Sequence, residues 1–376
     1  MNSISGTQTG GNIFFLLPSF RGGGMENQTI TLAGRMASQG WKVRLVIINN
    51  QNPAYLPSSL VEVINLNASK ISLAFPKYLK FLHQYKPQKL ISISGPVNIL
   101  AIAGKLLSGY PKNLLVSERN HLSSAARYWV RRMDALRPFL ARWLYPAADR
   151  VLCVSRAVRD DLIAVTGLPP SKVVTAYNLF DLNEIRRLAK AGKNLPAYLT
   201  KEKKIILSVG RLSRQKDHAT LIRAFALVRE QTQASLFILG DGPLTTQLKA
   251  LADSTGFGDD ILFEGFISNP YPYFQRADLV VLSSLYEGLP GVLIEALTLA
   301  KTCLATNSPG GSGEILADGQ AGYLCPVGDS AKMAKAILLA FEQPIPAQVC
   351  LARAEEFSID KNFSRVLELI NESQEL

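Results

Sequence analysis

The sequence is poor in the residues that build metal centres and disulfide frameworks. Its 376 residues include three histidines (His83, His121, His218) and four cysteines (Cys153, Cys303, Cys325, Cys350), with no C-x-x-C pair. Scattered thiols argue against a disulfide scaffold and fit a reducing compartment. So few imidazoles argue against a His/Cys metal site. Long apolar runs are missing too. No window approaches the ~18 uninterrupted apolar residues of a membrane span, and the best stretch, "NILAIAGKLLSG", is broken by Lys105. The start, "MNSISGTQTGGNIFFLLPSF", lacks the basic opening, apolar centre and small-residue cleavage site of a signal peptide. A soluble or peripheral protein is expected.

Acidic residues are scarce on one side only. Residues 1–180 hold 7 Asp and Glu against 21 Lys and Arg, a net +14, while the remainder holds 23 against 20, a net −3. A field this lopsided calls for an acidic partner of the first half, such as a membrane surface or a phosphorylated acceptor. Nucleic acid is disfavoured, because no recognised binding motif accompanies the charge.

The length fits two domains of about 180 residues each. Short apolar, β-rich runs alternate with helical patterns: "NIFFLLP", "VRLVIIN", "KLISIS", "NLLVSE" and "RVLCVS", then "KIILSVG", "SLFILG", "ILFEGF", "LVVLSS" and "TCLAT". This alternation predicts two doubly wound, Rossmann-like α/β domains, residues 1–180 and 181–356, with a linker within 178–203. Residues 357–376 are expected to form a helix packing back on the first domain. The ligand then belongs in the central cleft, at the carboxyl ends of the strands.

Three loops carry chemistry. In "GRLSRQKD", Gly210 ends a strand, and Arg211 and Lys216 can hold a diphosphate by a planar fork and a point charge. In "FRGGGMEN", glycines let backbone N–H groups approach a phosphate, although the run matches neither the dinucleotide fingerprint nor the P-loop. In "YEGLPGVLIEAL", Pro290 opens a helix between Glu287 and Glu295. Two acceptor-only carboxylates beside an anion-binding helix end suit a ligand with both phosphates and hydroxyls, a nucleotide sugar. Further glycine loops follow strands at "LGDGPL" and "NSPGGSGEIL", the latter carrying Glu314.

In order and spacing, "RGGGMEN", "VGRLSRQKD", "LGDGP", "GFISN", "SSLYEGLPGVLIEAL" and "SPGGSGEIL" resemble the retaining family-4 glycosyltransferases of the GT-B fold. The likeness covers most of the second domain, with Glu287 and Glu295 as its E-x7-E motif. In the first domain it rests on element order and the glycine loop. It implies sugar transfer with retention of anomeric configuration and without a metal cofactor. Arg211 and Lys216 would hold the diphosphate, Glu287 the donor-sugar hydroxyls and Glu295 the ribose. Backbone at Gly288, Leu289 and Gly291 would face phosphates and sugar, and the chain at Phe266 would line the base pocket. Gly23 and Gly24 would close the cleft from the first domain, and His121 would line the sugar site, with Glu118, Arg119 and Asn120 as alternatives in its loop.

The glycine loop "SPGGSGEIL" is similar to versions in enzymes using UDP-hexose or UDP-N-acetylhexosamine. Residues 125–145 space Trp129, Met133, Leu136, Leu140 and Trp143 near helical intervals among five arginines, in a helix that Pro138 should interrupt or kink. Such a stripe suits anionic lipid and a polyprenyl-diphosphate-linked glycan acceptor at the inner face of the cell membrane, or simply packing on the first domain. Competing readings are a nucleotide-sugar epimerase, a non-catalytic sugar-nucleotide-binding protein, and a glycosidase, which needs no diphosphate clamp.

Overall fold

The computed structural model describes residues 11–20, 23–49, 57–128, 135–191 and 203–372. The chain forms two all-parallel sheets. The first contains β1 (Asn12–Leu17), β2 (Lys42–Ile47), β3 (Glu62–Asn65), β4 (Lys89–Ile93), β5 (Asn113–Glu118), β6 (Arg150–Cys153) and β7 (Val173–Thr175), in the order β3-β2-β1-β4-β5-β6-β7. The second contains β8 (Lys204–Val209), β9 (Ala234–Leu239), β10 (Ile261–Gly265), β11 (Leu279–Leu282), β12 (Thr302–Thr306) and β13 (Tyr323–Cys325), in the order β10-β9-β8-β11-β12-β13.

The strands read as continuous apolar runs because helices cover both faces of each sheet. In β1, Ile13, Phe15 and Leu17 enter one core while Phe14 and Leu16 enter another. In the second sheet Ile206, Leu236 and Ile238 divide from Leu207, Phe237 and Leu239 in the same way. Strand order reverses between β1 and β4 and between β8 and β11, so each sheet opens a crevice beyond the carboxyl ends of those strands.

The chain crosses between the sheets twice, and the two crossings are bonded to each other. Phe180 N–H donates to the Phe357 carbonyl at 3.2 Å, and Ile359 N–H donates to the Phe180 carbonyl at 2.8 Å. Beyond this bridge the helix Ile359–Asn371 lies against the first sheet, with Ile359, Phe363, Val366 and Ile370 in one core with Ile13, Phe15 and Leu115. Arg150 Nη1 reaches Glu372 at 3.0 Å, and Lys89 Nζ donates to Asn371 Oδ1 at 3.1 Å.

One local expectation changes and another narrows. The linker region contains a helix, Leu182–Lys190, capped by Asp181 and burying Leu182, Ile185 and Ala189 against helices of the second half. Its apolar stripe was masked by the surrounding charge. Pro138 interrupts the stripe and kinks no helix: it sits in the first turn of a separate helix, Arg137–Leu144, where its missing N–H costs nothing. Of the apolar stripe, Trp129 and Met133 lie outside the described residues, as do Arg131 and Arg132.

Truncating Phe363 to alanine should lower unfolding free energy by about 3 kcal/mol. Chemical denaturation should show this as a lower midpoint at unchanged slope, and an unshifted midpoint would deny the docking of this helix.

Candidate functional site

Arg211, Lys216 and Glu287 follow β8 and β11, the neighbouring strands where the order of the second sheet reverses. Lys216 Nζ lies 2.6 Å from Glu287 Oε1, and the Ser284 hydroxyl donates to the same oxygen at 2.6 Å. Ser283 Oγ donates to the Lys216 carbonyl at 2.8 Å, Gln215 Nε2 to the Tyr286 carbonyl at 3.0 Å, and Thr306 Oγ1 to the Ser284 carbonyl at 2.6 Å. The two loops are thus sewn together by side chain and backbone. Gly210 leaves room for the Lys216 stem, whose Cε would lie 3.4 Å from an added Cβ. Arg211 is exposed and has no ion pair with any described residue.

The sequence alone assigns Lys216 to phosphate and Glu287 to hydroxyls as separate tasks; the structure joins them in one ion pair. Ser283, Ser284, Gln215 and Thr306 escaped notice, because isolated small polar residues carry no spacing signal. Glu295 stands one turn inside the helix Gly291–Thr298, hydrogen-bonded to Tyr271 rather than to the Glu287 cluster. Leu289 is buried, Gly291 lies against the Phe180 ring, and Phe266 is 61% exposed after β10.

The first half meets this site through backbone. Gly288 packs so closely that a Cβ would run into the Arg119 carbonyl oxygen, and His121 N–H donates to the Glu287 carbonyl at 3.3 Å. The His121 ring turns to its own domain: Nδ1 lies 3.1 Å from Ser124 Oγ and 3.4 Å from Asp161. Burial lowers its pKa, opposed by the Asp161 charge. Arg119 donates to Asn178 Oδ1 at 2.6 Å, and burial brings its pKa down to about 10, with Glu26 and Glu118 opposing. Glu118 is fully buried, accepting from Tyr145 at 2.8 Å, with Arg137 3.5 Å away. Asn120 has no side-chain bond among those described. Gly23 caps the helix Gly24–Ser38 in an extended conformation, and a Cβ there would come within 2.6 Å of Glu26 Oε2. Among the described residues no cluster of three His, Cys, Asp or Glu side chains has metal-binding geometry.

Two buried groups titrate abnormally and in opposite senses. Dense packing pushes the Glu295 carboxyl up to about 7 although part of the side chain stays accessible; the Tyr271 bond opposes the shift. The folded state therefore holds a proton that the unfolded chain loses, so this group removes stability as pH rises from about 4.5 to 7. Burial, aided by the Lys216 charge, brings His218 down to about 3. The unfolded chain then binds the extra proton, and stability falls as pH drops below about 6.5. The slopes oppose each other between these values. Relative to wild type, Glu295→Gln should gain on the order of 1–2 kcal/mol as pH rises from 4.5 to 7, discounted for the accessible edge. His218→Phe should show the opposite difference, gaining as pH falls from 6.5 to 4.5. Denaturant titrations across pH 4.5–8 measure both, and parallel profiles would contradict the assignments.

Residues 22–184 match the family model of Glycosyltransferase Family 4, and residues 194–357 match that of glycosyl transferases group 1. An N-acetylgalactosamine-N,N'-diacetylbacillosaminyl-diphospho-undecaprenol 4-alpha-N-acetylgalactosaminyltransferase of Campylobacter jejuni is 28% identical over 84% of this chain and 86% of its own. A second C. jejuni enzyme, an α-1,4-N-acetyl-D-galactosaminyltransferase named for a diNAcBac-PP-undecaprenol-linked disaccharide, is 25% identical over 87% and 88%. Among solved structures, sucrose-phosphate synthase from Thermosynechococcus elongatus superposes with a TM-score of 0.81 at 20% identity, covering 96% of this chain and 98% of that one. Anabaena HepE in complex with UDP-glucose gives 0.76 at 19%, covering 96% and 99%. With both halves matched in order and the two-sheet architecture shared, the chain belongs to the family-4 glycosyltransferases of the GT-B fold.

Proposed function

We propose that the enzyme transfers a hexose or N-acetylhexosamine from a UDP-linked donor to a hydroxyl of a polyprenyl-diphosphate-linked glycan, with retention of configuration and without a metal cofactor. The carrying observation is a division among three side chains at one switch point: Lys216 is held by Glu287, while Arg211 is exposed and has no ion pair among the described residues. A free guanidinium beside an anchored ammonium suits a departing diphosphate, whose charge grows in the transition state. The start of the helix Gly291–Thr298 adds N–H donors, Gly23 and Gly24 approach from the first domain, and Phe266 offers a surface for the base. Glu287 orients Lys216 and keeps its second oxygen for a donor hydroxyl; Glu295 takes the ribose. The acceptor hydroxyl attacks from the face the nucleotide leaves, with His121 bordering that space. Relatives named for diphospho-undecaprenol-linked substrates support the acceptor class.

The first domain supplies the means to meet a lipid-linked acceptor. On and beside the helix Arg137–Leu144, Leu136, Phe139 and Trp143 are 53%, 62% and 68% exposed, with the two rings 6.3 Å apart, and Arg142 of the same helix is exposed. Aromatic side chains and arginine on one helix, in the half carrying +14, fit an anionic cytoplasmic leaflet.

Arg211→Ala is the clean test of the donor site, since Lys216→Ala would strand the nearly buried Glu287 carboxylate and unsettle the fold. Arg211→Ala should cost about 10²-fold in kcat with an unchanged unfolding midpoint; wild-type transfer would refute the role. Calorimetry with a UDP-N-acetylhexosamine at pH 6.5, in two buffers of different ionisation enthalpy, should show proton release that Glu295→Gln abolishes, because ribose hydroxyls favour the ionised carboxylate. Heats independent of buffer would count against that contact. For the membrane face, Phe139→Ala/Trp143→Ala should cut co-sedimentation with phosphatidylglycerol vesicles about tenfold; equal binding by the variant would place the contact elsewhere.

A further inference from the structure

Glu314 belongs to the second half, yet its carboxylate bonds the first. Oε2 accepts the Arg156 N–H at 2.9 Å, and Oε1 accepts the Tyr177 hydroxyl. Arg156 opens the helix Arg156–Thr166, so the carboxylate sits at the positive end of a helix from the opposite half. The Arg156 side chain is 78% exposed and its Nε lies 3.6 Å from Oε1, whereas the Glu314 side chain is 14% exposed. The backbone N–H is therefore the firmer anchor.

The backbone that carries Glu314 is held on its own side too. Arg353 donates to the Glu314 carbonyl and, at 2.8 Å, to the Ile315 carbonyl, while its guanidinium lies over the Phe357 ring. Phe357 meets Tyr177 edge to face at 5.3 Å, next to the Phe180 and Ser358 crossings. The loop bearing Glu314 also grips the donor loop: Glu287 N–H donates to the Pro309 carbonyl at 2.9 Å and Gly311 N–H to the Gly288 carbonyl at 2.8 Å.

We infer that Glu314 is a positioning residue, a clasp beside the two crossings that sets the angle at which the first half meets the second. It acts through the halves' relative placement, leaving the donor's own contacts within the second half intact. Its kinetic readout rests on the transfer reading above.

The test uses the full chain. Gln at 314 can accept the Arg156 N–H through its oxygen and donate to the Tyr177 hydroxyl through its amide, so Glu314→Gln should stay within about threefold of wild-type kcat. Glu314→Ala should lose about tenfold to a hundredfold in kcat while its calorimetric Kd for a UDP-sugar changes less than about twofold. Small-angle scattering of the alanine variant should show a larger radius of gyration. Tyr177→Phe, which removes a single hydroxyl, should give an intermediate kcat loss and keeps the test open if Glu314→Ala does not fold. Wild-type kcat and scattering in both Glu314→Ala and Tyr177→Phe, or equal losses of kcat and donor affinity, would overturn the clasp. Failure of the wild-type enzyme to bind UDP-sugars would instead sink the donor reading, with scattering still deciding the clasp.

Discussion

The site is organised around the contact between Lys216 and Glu287. A carboxylate with so little exposure is costly unless it is paired and hydrogen-bonded, and here one oxygen receives both an ammonium and the Ser284 hydroxyl. Because the partners stand on loops from adjacent parallel strands, satisfying the charge also fixes the crevice where strand order reverses. Gln215, Ser283 and Thr306 extend the bonding into the backbone behind it. Lys216 thus reaches the cleft from a braced base, while Arg211 is exposed beside it.

The loop carrying Glu287 is also the seam between halves. Gly288 can approach the Arg119 carbonyl only without a side chain, and Gly310, at φ 124, passes the Glu287 carbonyl under the same restriction. Stacked Tyr128 and Tyr286, 6.0 Å apart and nearly parallel, join the halves beside these contacts. Structures at 20% identity or less share this architecture, so the two-sheet plan tolerates wide change in residues.

Much of the fold was legible because parallel strands buried on both faces leave unbroken apolar runs that helices do not imitate at that length. The helix Leu182–Lys190 was not, since four apolar residues among two arginines, a lysine and a glutamate look like a solvated linker until Tyr271–Arg276 is there to cover them. In the site, residue types announced themselves where chemistry is unusual: two glutamates around a Gly-Leu-Pro-Gly turn, a lysine after a strand. What stayed hidden was pairing. Lys216 and Glu287 are 71 positions apart, and no local pattern says that one carboxylate oxygen will serve a lysine and a serine at once. The inward turn of the His121 ring likewise depends on Asp161, from another helix.

The docking of Ile359–Asn371 on the first sheet also dictates an order of events during synthesis. That helix leaves the ribosome only after the whole second half, so the core around Ile13, Phe15 and Leu17, which Ala33 and Met36 of the first half cover in part, waits for the rest of its cover while the intervening chain is made. At ~5–20 residues per second, the roughly 180 residues of the second half correspond to an exposure of about ten to forty seconds for an apolar sheet surface. A nascent chain in that interval is a natural client for chaperones, and premature termination anywhere in the second half would leave the first with an open core.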